Sequence, residues 1–103
     1  MRKYPNEYGI TKMHFEVPVV VFCPLGNNYN KAFLTIDFDL GDSIIDFIDL
    51  ENYFKVEMNG KHLTSEQVVA EVFKTMDYLY NPKTLRVELE SNSHFVIKTI
   101  KEK

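Results

Sequence analysis

Two alternating apolar runs joined by a turn leave this chain little freedom in how it folds. Met13, Phe15, Val17, Val19 and Val21 alternate with His14, Glu16, Pro18, Val20 and Phe22, the two-residue period of a strand with one buried face. A second alternation runs from Lys31 to Leu40, with Leu34, Ile36, Phe38 and Leu40 inward and Thr35, Asp37 and Asp39 outward. Between them, Cys23-Pro24-Leu25-Gly26-Asn27-Asn28-Tyr29-Asn30 carries the Pro, Gly and Asn chemistry of a turn. The expectation is an antiparallel hairpin with a wide loop of some eight residues. Pro18 cannot donate to a ladder, so it predicts an edge strand or a bulge.

Residues 1–12 are polar, contain Pro5 and Gly9, and read as a loose N-terminal arm ahead of one domain over 13–103. Gly41-Asp42-Ser43 ends the second strand. Ile44, Phe47, Ile48, Leu50, Tyr53 and Phe54 suit a first helix over 44–56, with Asp46 and Asp49 in its first half, where the helix dipole favours acids. Met58-Asn59-Gly60-Lys61 reads as a turn. Thr64 and Gln67 form the capping box of a second helix. Val68, Val69, Val72, Phe73, Met76, Leu79 and Tyr80 follow at helical spacing, and Asn81-Pro82 stops it. Leu85, Val87 and Leu89 define a third strand; Ser91-Asn92-Ser93 turns it into a fourth, His94 to Lys101. The order strand, strand, helix, helix, strand, strand predicts an α+β layer: a four-stranded antiparallel sheet with both helices on one face.

At 103 residues the chain makes a single domain. A net charge of −3 and no basic run longer than two residues weigh against a stand-alone nucleic-acid binder. The single cysteine excludes an internal disulfide and points to the reducing cytoplasm. The N-terminus lacks the apolar segment of a signal peptide, and no apolar run approaches the ~20 residues of a membrane span. Eight Phe and six Tyr are many for this length and fit a subunit interface.

Cys23 ends a strand beside a polar loop rich in backbone donors, where a thiolate nucleophile could be presented. The same residue also fits a small strand-end hydrophobe. Glu66 lies in the first turn of the second helix, where exposed N–H groups favour a carboxylate, a placement that acids adopt for stability alone. His14, His62 and His94 show no ligand-pair spacing, so no metal is expected. His14 reads as lying on a solvated strand face, and His62 and His94 in turns. Asp37, Asp39, Asp42, Asp46 and Asp49 read as a solvated acidic edge.

The order of elements and several landmarks resemble the tunnelling fold, and within it the 7-cyano-7-deazaguanine (nitrile) reductases and their archaeal amidinotransferase relatives. The likeness runs from about Val17 to Lys101. It rests on Cys23-Pro24, Leu34-Thr35-Ile36-Asp37-Phe38, Glu66, and Asn81-Pro82-Lys83-Thr84-Leu85-Arg86-Val87. The resemblance implies that Cys23 adds to a substrate nitrile as a covalent thioimide and that Glu66 holds the deazaguanine edge. It also implies a homo-oligomer whose subunits join strand edge to strand edge, in the queuosine and archaeosine branch of tRNA modification.

The chain departs from that pattern in three places. The family's proton-handling acid, seven residues after the cysteine, is Asn30 here. Its histidine before the glutamate is Ser65. The reductases' Glu-Ser-Lys-Ser-Leu-Lys motif for NADPH reads Asp46-Phe47-Ile48-Asp49-Leu50-Glu51, without either lysine, so no NADPH and no other cofactor is expected. The reading is therefore a non-reducing, cysteine-dependent enzyme acting on a 7-deazaguanine or a related purine- or pterin-like base. The alternatives are a catalytically impaired base-binding or structural module and a reductase completed by a partner. The amidinotransferase branch acts on tRNA, which the charge of this chain does not favour.

Overall fold

The computed structural model describes residues 2–58, 63–92 and 95–103. Two long strands, β2 (Lys12–Cys23) and β3 (Asn28–Asp39), follow a three-residue strand β1 (Lys3–Pro5). Then come a short β4 (Ser43–Ile45), helix α1 (Phe47–Asn52) running into a π-helical turn (Tyr53–Met58), and helix α2 (Ser65–Tyr80). Strands β5 (Leu85–Asn92) and β6 (Val96–Glu102) complete the chain. β2, β3, β5 and β6 form one antiparallel sheet in that order, and β1 pairs with β4 in a separate two-stranded ribbon. This is the α+β arrangement that the sequence predicts.

The expected alternation places the core. Leu34, Ile36, Phe38, Leu85, Val87 and Leu89 are buried on one sheet face, against Val68, Val69, Val72, Phe73 and Met76 of α2. Truncating a fully buried member such as Leu34 would cost about 2–5 kcal/mol. Helix α2 starts and stops as its residues dictate. Thr64 and Gln67 cap each other reciprocally, and Asn81 closes the helix in the left-handed conformation at φ 42°.

Four expectations are corrected. The loop after Cys23 is only Pro24 to Asn27, because Asn28, Tyr29 and Asn30 already pair with Cys23, Phe22 and Val21. Turn-forming residues yield here to continued pairing between two long strands. The first helix does not start at Ile44. Ser43–Ile45 pairs with the N-terminal segment, and Asp46 caps the helix by accepting from the N–H groups of Ile48 and Asp49. The N-terminal segment is accordingly no loose arm: Lys3, Tyr4 and Pro5 lie opposite Ile45, Ile44 and Ser43. The fourth strand runs over Val96–Glu102, and Ser91 and Asn92, expected in the turn before it, still pair with Ile97 and Val96. The turn expected at Asn59–Lys61, Ser93, and the positions of His62 and His94 lie outside the described residues.

Pro18 does sit on an edge strand, and its direction follows from one bond. Phe22 donates its main-chain N–H to the carbonyl of Leu63 at 2.8 Å, away from β3. Main-chain groups alternate in direction along an antiparallel strand, so His14, Glu16, Pro18 and Val20 also turn theirs to the open edge. The proline therefore falls where no ladder bond to β3 is lost. At the other edge, Leu85 and Lys103 exchange N–H to carbonyl bonds of 3.3 and 2.9 Å. By the same alternation Val96, Lys98, Ile100 and Glu102 of β6 face outward from the sheet.

Candidate functional site

Cys23 is the last residue of β2, half-buried and free, on the helix-facing side of the sheet with Val21. Asn28 stands directly opposite it and Asn30 opposite Val21. Asn30 is thus a diagonal neighbour of Cys23 on the same face, a spacing of roughly 7–8 Å in such ladders. The turn between them contains Gly26, which faces the side chain of Asn28. A Cβ there would lie 2.5 Å from Oδ1 of Asn28, so the carboxamide of Asn28 rests against the turn. Asn27 takes the left-handed conformation at φ 48°, which asparagine tolerates.

Ser65 and Glu66 are the first two residues of α2, and the bond from Phe22 to Leu63 ties the approach to this helix to the Cys23 end of β2. Ser65 is half-buried and Glu66 is exposed. The structure thus brings Cys23, Asn30, Ser65 and the start of Glu66's helix to one end of the sheet. The main-chain N–H of Gln67 is taken by Thr64 Oγ1 at 3.3 Å.

Sequence reasoning missed a second feature. A cleft of about 530 Å³ runs along β2 from Phe15 to Val20, with Phe47, Leu50, Phe54, Met58 and Val68 on its far side. Glu16, Glu51 and Lys55 provide its polar groups, and Lys55 pairs with Glu51 at 2.5 Å. Neither Cys23 nor Glu66 lines it. Its apolar walls were visible as the inward residues of the first strand, but nothing in the sequence shows that α1 stands off from that strand.

The outward sheet face is ionic at the end remote from Cys23. His14, Asp37, Arg86 and Glu102 stand opposite one another across four consecutive strands. His14 Nδ1 lies 2.5 Å from Asp37 Oδ1, and Nε2 lies 3.1 Å from Glu16 Oε1. These two carboxylate hydrogen bonds raise the histidine pKa. Asp39 accepts from the main-chain N–H of Thr84, which lowers its pKa. Asp37 and Asp39 thus have separate structural partners, and Asp46, expected on a solvated edge, is instead buried. Among the described residues no group of three His, Cys, Asp or Glu side chains could hold a metal ion, and no helix is long and apolar enough to cross a membrane.

The element order and the two-layer packing define the tunnelling fold. Solved structures bear this out. The apo archaeosine synthase QueF-Like superposes with a TM-score of 0.79 at 10% identity, over 89% of this chain and 92% of that one. A putative dihydroneopterin aldolase (FolB) from Vibrio cholerae gives a TM-score of 0.67 at 16% identity, over 92% and 98%. The chain thus has the tunnelling fold and is similar in structure to both of these proteins. No protein-family model and no curated protein matches it.

Proposed function

We propose that this protein is a non-reducing enzyme that binds a 7-deazaguanine or related purine- or pterin-like base and attacks it through Cys23. The observation that carries the reading is the tie from Phe22 to Leu63, which sets Cys23 and Asn30 at the same end of the sheet as Ser65 and Glu66. In this reading Glu66 accepts from the N–H and NH₂ of the guanine-like edge, with Ser65 beside it. The thiolate of Cys23 adds to a nitrile carbon. One C–N π bond breaks, the nitrogen takes a proton from water, and a thioimide results. Ammonia or an amine attacking that carbon expels the thiolate and leaves an amidine, with no change of oxidation state. Asn30 orients the nitrogen by hydrogen bonding rather than supplying a proton. A reducing cytoplasm keeps such a thiol free.

Assembly belongs to the same reading. Both sheet edges, β2 and β6, turn main-chain groups outward that have no partner among the described residues, Phe22 excepted, and copies joined edge to edge would satisfy them. Antiparallel pairing of Glu16 with Lys98 of a second copy also sets Lys12 against Glu102, with Pro18 at the ladder's end. A base-binding module without catalysis is the second reading, favoured by Asn30 in place of an acid.

Intact-mass measurement after incubation with 7-cyano-7-deazaguanine tests the chemistry. The parent should gain the mass of one ligand, and Cys23→Ala should not gain it. Glu66→Gln should weaken reversible binding by on the order of 1.5–3 kcal/mol. Reversible binding without an adduct supports the module; no binding to any such base removes both readings.

A further inference from the structure

The cleft beside β2 has a wall that is fastened to the N-terminus of the chain. Arg2 donates its main-chain N–H to Asp49 Oδ2 at 2.6 Å and its Nε–H to the same oxygen at 3.1 Å. Its Nη2 reaches Asp49 Oδ1 at 3.3 Å and Asp46 Oδ2 at 3.2 Å. The Tyr4 hydroxyl donates to Asp46 Oδ2 at 3.0 Å, and the Asp46 N–H donates to the Arg2 carbonyl at 3.1 Å. Asp46 is 8% exposed and is at the same time the cap of α1, through Ile48 at 2.8 Å. One carboxylate therefore joins the first residues of the chain to the start of the helix that walls the cleft.

On the other side, α1 and the π-helical turn are separated from β2 by the cleft itself. Phe47 bridges it, meeting the ring of Phe15 edge-on at 5.7 Å. Phe47 nevertheless remains 58% exposed. The wall is thus held at two places: at its capped end by Arg2 and Tyr4, and farther along by Leu50, Tyr53 and Phe54, which are buried in the core, with the Tyr53 hydroxyl donating to Thr75 Oγ1 at 3.2 Å. A π-helical turn in its continuation interrupts the regular ladder at a place where such turns accompany movement or function.

We propose that residues 2–5 are a strap that holds the α1 wall closed, so that the width of the apolar cleft is set by the N-terminal segment. Releasing Arg2 and Tyr4 from Asp46 and Asp49 lets the capped end of α1 lift away from β2 about the buried Leu50, Tyr53 and Phe54, and exposes the cleft lining. This is independent of any chemistry at Cys23.

Hydrogen exchange followed by mass spectrometry on the full chain tests the strap, using Arg2→Ala, Tyr4→Phe and Asp46→Asn. The last keeps a capping side chain but loses the charge that Arg2 grips. Amides of residues 47–58 should exchange about tenfold faster in Arg2→Ala and Asp46→Asn, while those of β3 and β5 stay as in the parent. Fluorescence of 1-anilinonaphthalene-8-sulfonate should rise several-fold with them, since the dye reports exposed apolar surface. Unchanged exchange over 47–58 overturns the proposal. So does equal acceleration in every element, which would make the segment a general stabiliser and not a strap.

Discussion

The main-chain N–H of Phe22 and the carbonyl of Leu63 meet at 2.8 Å, and this bond joins the Cys23 end of the sheet to the approach to α2. It closes the last outward N–H of β2 and sets the approach to α2. The cap that follows rests on Thr64, whose Oγ1 accepts from the Gln67 N–H. Thr64→Ala should cost about 1 kcal/mol of stability, read as a lower urea midpoint at unchanged slope. Thr64→Ser should recover most of it. If Thr64→Ala unfolds with the parent, the box contributes nothing.

Tyr80 offers a substitution expected to help. Among the described residues its hydroxyl is buried without a hydrogen-bond partner, and burial pushes its pKa up to about 12, aided by Asp49 and Asp46. Its ring stacks on Phe38 at 6.3 Å and lies under the Lys3 ammonium, contacts that phenylalanine keeps. Tyr80→Phe should stabilise by roughly 1 kcal/mol. A lower thermal midpoint would mean that the hydroxyl has a partner in solution.

His14 makes stability depend on pH. Its pKa is raised by the hydrogen bond to Asp37 first and to Glu16 second, so the folded state binds the proton more tightly than the unfolded one. The resulting stabilisation is complete below the unfolded value of about 6.5 and disappears as pH rises through the higher folded pKa. Parent minus His14→Gln stability should therefore shrink with rising pH. A constant difference from about pH 5 to about pH 9 would refute the coupling.

The edges can be tested by charge. With Glu16 set against Lys98 of another copy, Glu16→Lys should shift light-scattering mass toward the monomer, and Glu16→Lys with Lys98→Glu should restore the parent's mass. Salt should weaken the parent's association in the same direction. A parent that is monomeric at micromolar concentration would remove the edge joint altogether.

The period-two runs made β2, β3 and β5 legible because burying one face admits no other register. Helix α2 was legible at both ends because Thr64, Gln67 and Asn81 act locally. What stayed hidden depends on contacts distant in sequence. Asn28 to Asn30 carry turn chemistry, yet the partner strand holds them extended. Ile44 looks helical by spacing but pairs with Tyr4, forty positions earlier. Cys23, Asn30, Ser65 and Glu66 could be named one by one, but that they share an end of the sheet rests on the Phe22 to Leu63 bond, which no local pattern encodes.

Pro18 carries a consequence for the life of the chain at high concentration. An edge strand with four valines and two phenylalanines is the kind of surface on which foreign strands stack without limit. Because its ring replaces the one N–H that would sit midway along the open stretch from His14 to Phe22, a strand that slides along β2 past Glu16 meets a gap in donors. Glu16 adds a charge two residues away, and the Leu63 carbonyl closes the far end. A seven-residue strand can still lie beside Lys12 to Pro18, but a longer, unregistered one cannot run the full length. Substituting Pro18 with valine should therefore leave the fold intact and shorten the lag before fibrils form.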